Sequence, residues 1–289
     1  MLNINDGIVR ADRPRARHPI GLTGFFVLAF GLSWTGAAAV ALSALAETGA
    51  GWAQAGWIAA LAPLELLMLF GPLIAAAITL AWNDRPAGIW TFLKRAFRLS
   101  VGLRWWALVL ILPAAVMALV WPVSGFAGGS APPPDILSVV LPAAGQLLVF
   151  YLLFNTEEIA WRGYALPQLQ SRLAPLPANA LLTGIWLVFH LPLFAMPGGH
   201  PAGYGVGVFI AMVIPIGFIM GAVFNRTAGS VLLVHLLHQG FNAWGEAWRI
   251  FPVFSGETTQ MWSMVALLWV PGVVAMIWLG LKGKAPESG

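Results

Sequence analysis

Eight long apolar runs constrain the fold of this chain more than any other sequence feature. Each is long enough to supply the roughly 20 residues that a tilted helix needs to cross the hydrocarbon core of a bilayer. The runs cover residues 20–46, 57–82, 103–123, 136–154, 178–195, 205–224, 230–248 and 261–281. Because backbone polar groups in lipid must be paired within the protein, such runs form helices. The sequence therefore predicts an all-α, polytopic transmembrane bundle of about eight spans.

The composition supports a membrane protein and excludes several other classes. Hydrophobic residues make up 59% of the 289 residues and charged residues only 9%, whereas about a quarter of the residues in soluble domains are charged. The few Lys and Arg residues lie in short clusters beside apolar runs, so nucleic-acid binding is not indicated. The chain has no cysteine, which excludes disulfides, iron–sulfur clusters and Cys-ligated zinc.

The distribution of Lys and Arg predicts the orientation of the spans, since cytosolic loops collect positive charge. The basic segments are residues 1–19, 85–104, 162–172, 225–226 and 282–284, and the alternate loops carry almost no positive charge, with Arg249 as the exception. We therefore predict cytosolic tails at 1–19 and 283–289, a single membrane domain at 20–282 and a location in the cytoplasmic membrane. Residues 84–99 are expected to form a basic amphipathic helix on its inner surface.

The first apolar run ends in Ala-Leu-Ala at residues 44–46, a sequence typical of a signal-peptidase site. The run is, however, much longer than the roughly 7–15 apolar residues of a secretory signal. We therefore interpret it as an uncleaved first span.

Three polar clusters interrupt the apolar second half of the chain. They are Glu157-Glu158 with Arg162, Trp186 with His190, and His238 with Asn242. Ionisable residues inside a membrane are costly and usually mark a functional site. Within each cluster, residues four apart share a helix face, so Glu158 and Arg162 are expected to pair.

Helical geometry also assigns different directions to the two glutamates. Adjacent residues diverge by about 100° around a helix axis, so we expect one glutamate to serve the reaction and the other to anchor the helix. At 1.5 Å rise per residue, His190 and His238 lie roughly 12–18 Å from the cytosolic ends of their spans. Glu157 reaches that depth only if its helix begins late or bends.

A carboxylate and two imidazoles in a membrane cavity suit the activation of water. The same three side chains, Glu157, His190 and His238, would also form a first shell for catalytic Zn²⁺ with an open fourth position. Asn242 and either histidine could instead form an oxyanion hole. His235 precedes His238 by three residues and competes with it as a ligand.

The three clusters together, in this order, resemble the motifs of the CPBP family, also called Abi or type II CAAX prenyl protease-like intramembrane proteases. The resemblance covers a core at about 137–248, and one departure from the family pattern is Trp186, where Phe is usual. It implies an endopeptidase whose site opens to the cytosolic side and whose substrate is membrane-associated and, by the family name, lipidated. In this pattern Glu157 activates the water, His190 and His238 hold a metal or the water, Asn242 supports the intermediate, and Glu158 and Arg162 have positioning roles.

Two other functions remain open at this point. The same Glu and His side chains could form a proton or cation relay in a transporter, although the inverted repeats of many carriers are not evident. The chain could also be a non-catalytic partner or immunity protein that keeps the family fold. The expected partners are membrane lipids and, for the protease, a peptide or protein substrate.

Overall fold

A computed structural model describes residues 20–47, 61–83, 86–196 and 204–281, and the elements in these ranges are all helical. The α-helices are α1 (Leu22–Glu47), α2 (Ala62–Asn83), α3 (Pro86–Ala96), α4 (Leu103–Phe126), α5 (Leu141–Phe154), α6 (Glu157–Ala160), α7 (Leu166–Gln170), α8 (Pro175–Phe189), α9 (Val206–Arg226), α10 (Val231–Ala247), α11 (Pro252–Ser255) and α12 (Thr259–Leu281). Two π-helical turns, Ile136–Val140 and Trp161–Ala165, precede α5 and α7, and a 3₁₀ turn, Leu191–Phe194, follows α8.

Seven of the described helices are long and apolar enough to cross a membrane, which confirms a multi-pass, all-α membrane protein. They cover Leu22–Leu45, Pro63–Asn83, Leu103–Phe126, Ile136–Phe154, Pro175–Phe194, Val206–Arg226 and Thr259–Leu281. The eighth predicted run, 230–248, forms α10, which has only 17 residues. Its polar residues lower its hydropathy, and most of its length is buried among the other helices. The orientation of the termini and the cytoplasmic membrane stay predictions.

The predicted amphipathic segment at 84–99 forms α3, within the part of the segment that the structure describes. Its apolar side packs inward, with Phe92 buried against Gly163, while Trp90 is exposed and Lys94 lies 5.4 Å from its ring centroid. The helix is therefore amphipathic, as predicted, and its contact with a membrane surface stays a prediction.

The two ends of the bundle differ in charge. We call one the basic end, because the chain segments that meet there carry Lys94, Arg98, Arg104, Arg172 and Arg226. Helices α4, α8 and α10 begin at this end, and α9 ends there. Two contacts join its segments: the Ser230 hydroxyl donates to the Arg98 carbonyl at 2.9 Å, and the Arg226 guanidinium lies 4.2 Å from the Trp278 ring centroid.

The other end, which we call the opposite end, holds the connections from α4 to α5 and from α10 to α12. Its described ionisable residues include Asp135, Arg249 and Glu257. The Glu257 carboxylate accepts hydrogen bonds from Ser130, and the Trp121 indole donates to the Trp248 carbonyl at 3.0 Å. These contacts fasten the ends of α4, α10 and α12 together.

Glycines allow α8 and α9 to approach closely. Gly217 lies against Thr183 and Gly221 against the Asn179 amide, so the two glycines and the two polar residues each repeat after four positions. A methyl group at either glycine would overlap its neighbour. Small residues at this spacing are a common means of packing helices in lipid, and here they hold α8, the helix directly before His190, against α9.

Candidate active site

An interruption of the helix at Asn155 and Thr156 brings Glu157 to the level of the histidines. Helix α5 ends at Phe154, Asn155 leaves the helical region with φ −92° and ψ 86°, and a new helical segment starts at Glu157. This segment continues through the π-helical turn Trp161–Ala165, a distortion that is frequent at functional sites. The bend that the sequence required for Glu157 is therefore present.

The Glu157 carboxylate faces two indoles and one imidazole. Its Oε2 atom accepts hydrogen bonds from Trp161 Nε1 at 3.1 Å and from Trp186 Nε1 at 2.8 Å. The same oxygen lies 3.9 Å from His190 Nε2. Both indole hydrogen bonds thus go to the same carboxylate oxygen, and its separation from His190 is too long for a direct hydrogen bond.

The backbone fixes the orientation of His190. Its Nδ1 lies 2.8 Å from the Trp186 carbonyl oxygen, and because a carbonyl only accepts, Nδ1 carries a proton. In the neutral imidazole, Nε2 then presents a lone pair towards Glu157. Helix α8 ends at Phe189, and His190 is its C-cap residue, directly before Leu191-Pro192.

Glu158 points to a different set of partners. Its Oε1 atom lies 2.9 Å from Arg162 Nη1 and 2.9 Å from His238 Nδ1. Glu158 and Arg162 are 0% and 1% exposed, so their charges compensate each other in the core. The predicted pairing of Glu158 with Arg162 is confirmed, and the two neighbouring glutamates do face different groups.

The contact with Glu158 also orients His238. An ionised carboxylate only accepts hydrogen bonds, so His238 Nδ1 carries a proton and its Nε2 remains for another partner. The Arg162 guanidinium lies 5.0 Å from the centroid of the Trp186 ring, within the range of a cation–π contact. Trp186 therefore contacts Glu157 through its indole N–H and Arg162, the partner of Glu158, through the face of its ring.

A cavity of about 350 Å³ joins Glu157, His190, His238 and Asn242. Its other lining residues are Tyr151, Asn155, Trp186, Leu193, Tyr204, Phe209, Met212, Val213, Ile216, Glu246 and Phe251. The polar residues come mainly from α10 and the end of α5, and α9 supplies an apolar wall. Four of the six predicted site residues thus line one cavity, while the Glu158 and Arg162 pair is buried beside it.

The structure separates His238 from its competitor His235. His235 Nε2 lies 3.1 Å from the Leu152 carbonyl oxygen, and His235 is not among the residues that line the cavity. Asn242 Nδ2 donates to the Gln239 side chain at 3.0 Å while Asn242 itself lines the cavity. His238 is therefore the histidine of α10 that reaches the cavity.

Sequence reasoning missed two residues of the polar wall, Tyr151 and Glu246, which form a hydrogen bond across the cavity lining. A signal for Glu246 was present, because His238, Asn242 and Glu246 follow at intervals of four on one face of α10. Tyr151 gave no such signal, since it lies within an apolar run. Burial raises the pKa of another cavity residue, Tyr204, which keeps its hydroxyl protonated.

The predicted zinc ligands do not form a ready three-ligand site. In the described parts of the chain, no three His, Asp or Glu side chains come together with metal-binding geometry. Glu157 Oε2 is engaged by two indole donors, and His238 uses Nδ1 for Glu158. Bound zinc stays a prediction.

Comparisons with known proteins agree with the motifs. Residues 132–244 match the model of the type II CAAX prenyl endopeptidase Rce1-like family, and this range contains all six predicted site residues. CAAX prenyl protease 2 of Methanococcus maripaludis is 26% identical over 188 residues. The aligned part covers 59% of this chain and 66% of that relative. Over this core, the chain is therefore similar to the type II CAAX prenyl endopeptidase Rce1-like proteins, in agreement with the resemblance of its motifs to the CPBP family.

Proposed function

We propose that this protein is an intramembrane endopeptidase that hydrolyses a peptide bond of a membrane-associated substrate with water activated by Glu157. The observation that carries the proposal is the 3.9 Å separation between Glu157 Oε2 and His190 Nε2 at the wall of the 350 Å³ cavity. A water molecule bridging these atoms would donate one hydrogen bond to each. Glu157 and His190 would thereby orient a water oxygen towards a carbonyl carbon in the cavity.

The proposed reaction uses the side chains in named roles. Glu157 accepts a proton as the water oxygen attacks the carbonyl carbon, and it later gives this proton to the leaving amine. The negative charge that develops on the carbonyl oxygen is stabilised by a hydrogen bond from Asn242 Nδ2, and His238 adds a second one from Nε2 when that nitrogen carries a proton. Glu158 orients His238 through the contact at Nδ1, as a carboxylate orients the histidine of a catalytic triad.

A second, smaller cavity offers a source of water. It has a volume of about 80 Å³ and is bordered by Glu157 and His190 on one side and by Ser33, Trp34 and Met68 on the other. This is room for several water molecules. Helices α1 and α2, which lie outside the family match at 132–244, would therefore assist hydrolysis by enclosing this water.

The substrate proposal follows from the cavity wall and from the relative's name. Phe209, Met212, Val213 and Ile216 form an apolar surface opposite the polar residues of α10, which suits a substrate segment that is itself membrane-embedded or lipidated. The relative is named CAAX prenyl protease 2, so a lipidated, CAAX-like segment is the substrate class that we propose to test first. The comparisons favour neither the transporter nor the non-catalytic alternative.

The test compares two Glu→Gln substitutions in the purified, reconstituted protein. Glu157→Gln removes the proposed base and should lower kcat by about 10²–10⁴-fold, the typical contribution of acid–base catalysis. Glu65→Gln is the matched control, because Glu65 lies in α2, accepts a hydrogen bond from Ser43 at 2.6 Å and does not line the main cavity. Near-wild-type cleavage by Glu157→Gln, with equal folding of both variants, would refute the assignment.

A further inference from the structure

A chain of hydrogen-bonded side chains on α10 leads from the end of α5 to Asn242. His235, Gln239 and Asn242 follow at intervals of four and three residues, so they lie on one face of the helix. His235 and Gln239 are 8% and 0% exposed, whereas Asn242 lines the main cavity. Buried polar side chains need partners inside the protein, and these two take them from the end of α5 and from Asn242.

The partners at α5 are two backbone carbonyls. Helix α5 ends at Phe154, and the last four carbonyls of a helix lack the usual intrahelical donor. One of these is the Leu152 carbonyl, whose oxygen lies 3.1 Å from His235 Nε2. The other partner is the carbonyl oxygen of Asn155, the C-cap residue of α5, which lies 3.5 Å from Gln239 Nε2. Two side chains of α10 are thus attached to the place where α5 is interrupted.

The direction of each hydrogen bond follows from these fixed ends. A carbonyl oxygen only accepts, so His235 Nε2 carries the proton and Nδ1 of the neutral imidazole accepts. The Gln239 atom that lies 3.5 Å from both His235 Nδ1 and the Asn155 carbonyl oxygen must donate to them, which identifies it as the amide nitrogen. Gln239 Oε1 then faces Asn242 at 3.0 Å. Because Oε1 only accepts, the Asn242 amide presents its nitrogen to Gln239.

We propose that Gln239 is a positioning residue, which fixes the amide of Asn242 so that Nδ2 can donate to the oxyanion that develops in the cavity. The amide nitrogen has two N–H groups. One of them goes to Gln239 Oε1, and the other can reach a carbonyl oxygen of the substrate. A reversed Asn242 amide would set two acceptor oxygens against each other. The inference rests on the proposed function, which assigns this donor to Asn242.

The same hydrogen bonds relate the donor to the proposed base. Asn155, whose carbonyl accepts from Gln239, lies two residues before Glu157 at the interruption that positions the Glu157 carboxylate. The group that activates water and the group that receives the developing charge are therefore referred to one backbone segment. Such preorganisation of a donor accounts for much of its effect on the reaction rate.

The first test replaces two buried glutamines by methionine in the purified, reconstituted protein. Gln239→Met keeps the length of the side chain and removes the acceptor for Asn242. Gln260→Met is the matched control, because Gln260 is also 0% exposed, donates to Glu257 at 3.3 Å and is not among the residues that line the main cavity. For the folded protein, Gln239→Met should lower kcat by about tenfold or more with KM within about threefold, and Gln260→Met should keep kcat within about twofold. Wild-type kcat in Gln239→Met would overturn the inference.

A double-mutant cycle shows whether Gln239 acts through Asn242. Asn242→Ala removes the donor itself and should lower kcat by about 10²–10³-fold. In the Asn242→Ala background, Gln239→Met should lower kcat by less than about twofold more, because the group that Gln239 positions is gone. A loss of about tenfold in both backgrounds would refute the inference, since independent effects add.

His235 gives a second pair of variants that leaves Gln239 in place. His235→Gln keeps a donor for the Leu152 carbonyl and an acceptor for Gln239, so kcat should stay within about threefold of the wild-type value. His235→Leu keeps neither group, and its kcat should be more than about threefold below that of His235→Gln. Equal kcat values of the two variants would overturn the part of His235 in the chain.

An unfolding assay separates this inference from the proposed function. Gln239→Met and Asn242→Ala should together lower the unfolding temperature by less than the sum of their separate effects, because they remove the same hydrogen bond. If this coupling is present but the wild type cleaves no peptide, the proposed function fails while the orientation of the Asn242 amide stands. If the wild type cleaves and Glu157→Gln does not, but Gln239→Met cleaves like the wild type, the inference about Gln239 fails alone.

Discussion

Glu158→Gln removes the charge that both Arg162 and His238 contact while keeping nearly the same shape. Glu158 and Arg162 are 0% and 1% exposed and lie 2.9 Å apart, so the substitution leaves the Arg162 guanidinium buried without a counter-charge. Breaking a buried ion pair in this way costs about 3–5 kcal/mol. We therefore expect Glu158→Gln to lower the free energy of unfolding by an amount in this range.

A double-mutant cycle measures the coupling directly. Arg162→Met removes the other charge, and in the double variant neither charge remains. The stability lost in the double variant should therefore be smaller than the sum of the two single losses by more than about 1 kcal/mol. The assay is reversible unfolding in mixed micelles, followed by circular dichroism. Additive losses in the double variant, or a single loss below about 1 kcal/mol, would show that the pair does not hold this segment in place.

Three further predictions address packing, the choice of histidine and the metal. Gly221→Leu should destabilise the protein markedly in a thermal unfolding assay, because a side chain there overlaps Asn179, whereas Gly184→Leu, whose Cβ meets nothing within 4 Å, should change stability little. His235→Gln should keep kcat within about threefold, while His238→Gln should lower it by about 10²-fold or more; equal effects of the two would contradict the separation of their roles. If the predicted zinc is required, a tight-binding chelator should abolish cleavage and added Zn²⁺ should restore it. An unchanged kcat after chelation would show that zinc is not required.

Much of the fold was predictable because lipid imposes simple rules on a chain. Seven of the eight apolar runs correspond to helices of spanning length, and the spacing of Glu158 and Arg162 predicted their ion pair. The exception, α10, is shorter and more polar than a lipid-facing span, since surrounding helices rather than lipid cover most of it. Run length alone does not reveal such shielding.

The sequence grouped the candidate residues but did not predict their contacts. The three motifs identified Glu157, His190, His238 and Asn242, and these residues line one cavity. The two indole donors to Glu157 were not predictable as a pair, because Trp186 comes 29 residues later in the chain than Glu157. Such contacts depend on the break at Asn155 and on how α8 packs against the segment that follows, neither of which has a periodic signature in the sequence.

The most direct test of the central claim is a survey of new peptide termini in membranes incubated in H₂¹⁸O, with wild type compared with Glu157→Gln. Hydrolysis by activated water predicts that specific membrane-protein fragments appear with wild type only, each with one ¹⁸O atom in its new carboxyl terminus. The same fragments and the same ¹⁸O incorporation with Glu157→Gln would contradict the role of Glu157 as the base that activates water.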